Sequence, residues 1–175
     1  MSTYYSDNIA VSTANTTFVP GYRPTAGIKH ARSRISTARI SALALTTDTV
    51  RMITLQSGDR LLKLELTSNG GSDAGAIDLG LYLTGSAHDG AVVDVDLFMS
   101  AQTTSTAIDL TDAFNESAVL DHTDRGKTMW ELAAVGAGTD TIDPLVQYDI
   151  VIVPTTSFTT TASILTLIAT YMAGD

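Results

Sequence analysis

The chain has 175 residues, with ten bases against 19 acids for a net charge of −9, and no cysteine. A chain of that length is one domain able to bury a core without staples; lacking cysteine, it excludes disulfides and thiolate zinc sites and suits folding in a reducing cytoplasm. The charge is uneven: residues 1–39 hold Arg23, Lys29, Arg32, Arg34 and Arg39 against Asp7 alone, net +4, leaving −13 on the rest, a division that fits attachment to a partner better than catalysis.

The first seven residues, MSTYYSD, have neither the positive nor the apolar region of a secretory leader. From Ser12 to Thr37 there is no sustained apolar period, and Pro20-Gly21 and Arg23-Pro24 favour extended or irregular chain. Residues 1–38 are therefore expected to be an extended basic arm, and residues 39–175 a β-sandwich domain. Strands are predicted at Ile40 to Leu45 and Val50 to Leu55. In Arg60 to Thr67, Leu62, Leu64 and Leu66 alternate with Lys63 and Glu65, the period of a half-buried strand. A loop of Ser, Asn, Gly and Asp follows, and then Ile77, Leu79, Leu81 and Leu83 alternate with Asp78, Gly80 and Tyr82. The two runs read as a hairpin.

After a second turn, at residues 85–90, Val93, Val95, Leu97 and Met99 are expected in the core, with Asp94, Asp96 and Phe98 outside. Gly126 to Gly136 holds good helix formers, so a short helix is predicted, with Gly136 just past its end, Met129 and Ala133 on one face and Trp130 as its anchor. Strands at Gln147 to Val153 and Ser163 to Tyr171 complete roughly seven or eight, the number expected of an all-β antiparallel two-sheet sandwich. The most apolar stretch, Ile164 to Ala173, is broken by Thr166 and Thr170 and is about half the roughly 20 residues of a spanning helix, so no membrane partner is expected.

The polar clusters carry little chemistry. His88-Asp89 and Asp121-His122-Thr123-Asp124 could in principle meet around a metal, but turn chemistry accounts for the same residues, and no metal site is expected. Asp94 and Asp96 have the placement of paired carboxylates, for which solvation on an outer strand face is enough. There is no G-x-S-x-G elbow, H-E-x-x-H, phosphate loop or calcium loop, so neither catalytic residues nor a cofactor are expected. The arm is too sparse in charge for a nucleic-acid tail, and the acidic body would repel such a polymer. Tyr22, Arg23, Lys29, Arg32, Arg34 and Arg39 fit docking on an acidic protein surface, where arginine makes paired contacts with carboxylates.

The run Val50-Arg51-Met52-Ile53-Thr54-Leu55, then Gly58-Asp59-Arg60-Leu61-Leu62, then Ile77-Asp78-Leu79-Gly80-Leu81-Tyr82 and Val93-Asp94-Val95-Asp96-Leu97-Phe98 resembles small virion structural proteins of tailed bacteriophages. Met129-Trp130-Glu131-Leu132, followed by Tyr148-Asp149-Ile150-Val151-Ile152 and a Thr-rich last strand, is similar too. The resemblance covers about residues 40 to 172. It implies a jelly-roll-like sandwich, a non-enzymatic cement or decoration protein made in the host cytoplasm and placed on the outer head surface. Its implied partners are the major capsid protein and its own copies in a trimer. On that view, replacing Arg32 and Arg34 by glutamate abolishes shell binding without unfolding the body. The alternative is a phage tail, fibre or surface-adhesion module binding host glycans, with Tyr82 and Phe98 as an outward aromatic platform. A hydrolase using Asp121, His122 and Asp124 is the third possibility.

Overall fold

The computed structural model describes residues 31–40, 48–70, 75–85, 90–137, 142–156 and 163–174. The chain divides into Met1–Ala31 and Arg32–Asp175, and the second unit holds the sandwich. Its strands are β1 (Ala31–Ile40), β2 (Val50–Gln56), β3 (Arg60–Ser68), β4 (Ala76–Leu83), β5 (Val92–Thr103), β6 (Ile108–Asp112), β7 (Gln147–Pro154) and β8 (Ser163–Met172). A 3-10 turn at His122–Asp124 and helix α1 (Met129–Ala137) lie between β6 and β7. One sheet runs β1-β8-β3-β6 and the other β2-β7-β4-β5.

That order is a jelly roll. Strands pair in nested fashion, β1 with β8, β2 with β7, β3 with β6 and β4 with β5, as though one long hairpin had been rolled up. Rolling adds the antiparallel pairs β3–β8 and β4–β7 and closes the two sheets on each other. The hairpin read between the third and fourth strands is corrected by this topology: β3 and β4 lie in different sheets, and the hairpin is β4–β5. Sequence neighbours in a sandwich cross between sheets as readily as they pair, and a long glycine-rich loop permits both.

The core lies between the sheets. Leu165, Leu167, Ala169 and Tyr171 of β8 point inward while Ile164, Thr166, Ile168 and Thr170 are more open, a clean period of two. Bulges disturb that period elsewhere. In β3 the register shifts between Leu61 and Lys63, so Leu61 is fully buried with Leu64 and Leu66, and Leu62 is only half-buried, unlike its expected place in the core. In β5, Asp94 and Met99 are five positions apart, against two between the residues they face on β4, Leu81 opposite Asp94 and Leu79 opposite Met99. Leu97, Phe98 and Met99 are consequently all buried, and Val95 is exposed. Phe98, expected outside, packs its ring 6.1 Å from that of Phe114.

Helix α1 forms where it was expected but ends later. Thr128 donates its backbone N–H and its hydroxyl to Glu131, each at 2.7 Å, the reciprocal half of a capping box. Met129, Leu132 and Ala133 are buried and Trp130 is half-buried against the core, as its role of anchor requires. Gly136 sits inside the helix rather than past its end. A Cβ there would lie 2.7 Å from the Asp94 carboxylate and 3.1 Å from Leu97, so its job is close packing on β5.

Candidate partner-binding surface

The basic residues singled out from the sequence fall in two places. Tyr22, Arg23 and Lys29 lie outside the described residues, whereas Arg32, Arg34 and Arg39 lie in β1. Residues 31–38, read from the sequence as the end of the arm, are most of that strand, and they close one edge of a sheet. A Ser- and Thr-rich run makes a strand here because its hydroxyls match those of β8. Ser33 Oγ is 3.3 Å from Thr170 Oγ1, and Thr37 Oγ1 is 2.9 Å from Thr166 Oγ1. Ser33, Ile35 and Thr37 therefore share the outer face, where Ile35 is 69% exposed, and Ala38 on the opposite parity touches the core.

Arg32 and Arg34 share the inward parity yet behave differently. Arg34 crosses the open rim of the sandwich: Nε donates to Tyr171 Oη at 3.1 Å, Nη1 donates to the Thr54 carbonyl of β2, and the guanidinium lies 5.7 Å from the Tyr171 ring centroid. It fastens the edge of one sheet to the edge of the other. Arg32 is exposed.

The acidic residues of the body are largely occupied by their own chain. Asp149 on β7 is buried and accepts from Arg51 at 2.6 Å, Thr54 at 2.7 Å and Thr84 at 3.1 Å. Arg51 also donates to the Leu83 and Gly90 carbonyls and lies 5.8 Å from the Tyr82 ring centroid, covering the outer face of this sheet. Tyr82, Val151 and Val153 are buried beneath it as a second apolar cluster. Asp59 accepts from Gln56 and Gly174, and Asp112 from Arg125.

Asp121 and Asp124 form a reciprocal cap on the 3-10 turn, Asp121 accepting from Thr123 N–H at 2.6 Å and Asp124 from Asp121 N–H at 2.8 Å. The Thr123 hydrogen bonds hold the Asp121 carboxyl below its usual range, and the ion pair with Asp124 raises the Lys127 ammonium. These residues shape a turn. Among the described residues no three His, Asp or Glu side chains come together as a cation site, and His88 and Asp89 lie outside them.

Asp78 and Asp94 are the carboxyls that stand apart electrostatically. Burial is the main reason both sit above the usual carboxylate range, and the negative charge of Asp96 adds to each. Asp94 accepts from the Asp96 backbone N–H at 3.2 Å at the β5 bulge, so the pair forms a local turn rather than a matched pair of outward carboxylates.

The outward aromatic platform is corrected as well: Tyr82 is 9% exposed and Phe98 0%. What sequence reasoning missed is a cavity of about 210 Å³ lined by Leu83, Val93, Ala133, Pro144, Val146 and Tyr148, beside strongly exposed Ile142 and Leu145. Leu145 holds a φ of 54° while its N–H bonds to Asp143, which gave no signal before the fold placed it.

The fold is a jelly roll with an arginine-bearing strand on its rim. No protein-family model matches the chain, and no curated protein sequence does. Among solved structures, a chain of the cyanophage Pam1 capsid asymmetric unit is similar, with a TM-score of 0.51 and 14% identity over 91% of this chain and 96% of that one.

Proposed function

We propose that this protein is a non-enzymatic bacteriophage structural protein that cements the capsid, binding the major capsid protein on the outer head surface as a trimer. The observation that carries this reading is the end-to-end likeness of its jelly roll to a chain of a phage capsid asymmetric unit. Two features support it. The +4 segment precedes a −13 body, so attraction to an acidic partner surface is concentrated at one end. The Asp121 and Asp124 side chains, weighed for the hydrolase alternative, are engaged in capping a turn.

In this reading Arg32, with Tyr22, Arg23, Lys29 and Arg39, contacts acidic capsid surface. Binding only the assembled shell stabilises it by mass action, and three copies held together multiply the effect. The glycan-binding alternative loses its platform with the burial of Tyr82 and Phe98. The test is addition of purified protein to heads assembled without it, read by cosedimentation and by the temperature at which packaged DNA escapes. Saturable binding with a raised release temperature is expected. Heads that neither bind the protein nor gain resistance refute the proposal. Light scattering of the full chain and of a chain beginning at residue 31, which retains β1, tests the trimer.

A further inference from the structure

Of the four sheet edges among the described residues, three are poorly suited to accept another strand. β6 is five residues long. β5 is bulged, with three register shifts against β4 and a φ of 51° at Ala101. β2 is bulged between Arg51 and Ile53, and the Arg34 guanidinium occupies the Thr54 carbonyl. Natural sheets blunt their edges in these ways, by shortness, by bulging and by covering. β1 is ten residues long, has negative φ throughout, and ends its sheet.

We infer that the outer edge of β1 is a strand-addition site for an extended, acidic segment of a partner protein. Backbone N–H and C=O groups along a ten-residue edge provide the ladder, and side chains on alternate residues provide the selectivity. β1 carries that alternation in its own side chains. On one parity Ile35, 69% exposed between Ser33 and Thr37, offers an apolar contact. On the other parity Arg32 is exposed and Arg34 is held at the rim, so an added strand meets positive charge there. The same charge opposes pairing of β1 with β1 of a second copy, because two arginine-bearing strands would lie side by side. The occupant is thus a different chain with alternating apolar and acidic residues. The inference deepens the capsid-binding reading and rests on it only for the partner's identity, an acidic extended segment of the capsid protein.

The test uses the full chain and two synthetic ten-residue peptides, one alternating Val and Glu, the other Val and Lys, with backbone amide exchange followed residue by residue. The Val/Glu peptide is expected to slow exchange at alternate amides of residues 31–40 and the Val/Lys peptide to leave them unchanged. Arg32→Glu should weaken binding of the acidic peptide roughly tenfold. Ile35→Pro and Ser36→Pro address the ladder itself, since neighbouring N–H groups point to opposite edges: the variant that keeps the melting temperature should lose peptide protection. Lack of protection by the acidic peptide overturns the inference even if heads bind the protein. Equal protection by the basic peptide, or protection that grows with protein concentration alone, also overturns it. Protection by the acidic peptide with no binding to heads leaves the edge site standing and removes the capsid as its partner.

Discussion

Removing either partner of the Arg51–Asp149 pair should cost unequal amounts, because the two groups are unequally buried. The Asp149 side chain is 5% exposed and that of Arg51 36%, with 2.6 Å between Nη1 and Oδ2. Asp149→Ala leaves a guanidinium that reaches water and keeps the Leu83 and Gly90 carbonyls, so the loss is mainly the hydrogen bonds of Thr54 and Thr84, about 2 kcal/mol. Arg51→Met strands a nearly buried carboxylate with two hydroxyl donors for company, a loss of about 3–5 kcal/mol. In the double variant no charge is stranded, and the total should fall below that of Arg51→Met alone, a coupling of roughly 2–3 kcal/mol. Urea unfolding followed by the fluorescence of Trp130, the chain's one tryptophan, measures all three. If Arg51→Met costs less than about 1 kcal/mol, or if the two changes simply add, the account of Asp149 as a charge held by Arg51 is wrong.

Arg34→Ala should lose about 1–2 kcal/mol, from the bond to Tyr171, the bond to Thr54 and the ring contact, while Arg32→Ala stays within about 0.5 kcal/mol. Thermal melting separates them, and it follows that Arg32→Glu, not the pair, is the clean probe of head binding. Gly80→Ala places a Cβ 2.3 Å from the Val95 carbonyl oxygen and 2.5 Å from that of Asp94, both backbone, so a loss of about 3 kcal/mol is expected by urea unfolding; a loss under about 1 kcal/mol would mean the β5 bulge yields easily. Asp94→Asn should be more stable than the parent at pH 7. Its folded-state affinity for a proton is raised above the ordinary value of 3.8, so the parent's penalty is full above the folded pKa and fades as pH falls through it toward the unfolded one; the advantage of the variant should shrink along that path, and melting curves from pH 7 to pH 4 check the sign.

Alternation was legible wherever a strand keeps its register over several residues. Ile77, Leu79 and Leu81 of β4 and the inward residues of β8 stand where their spacing puts them. It failed at bulges, which insert a residue without leaving a mark in composition: Leu61 replaced Leu62 inside, and Phe98 joined Leu97 and Met99 in the core. The first strand failed for another reason. β1 is chosen by its partner, since Ser33, Thr37 and Ala38 have no apolar period of their own and become strand residues only against Thr170, Thr166 and the core edge. Because β1 and β8 are the ends of the roll, the residue pairs that define this edge lie 129 and 137 positions apart, and no local pattern could announce them. The same separation explains why the two arginines looked alike. Arg34 meets Tyr171 and Thr54 only after the roll has closed, and that closure turns one of two similar charges into a structural tie and leaves Arg32 exposed without that tie.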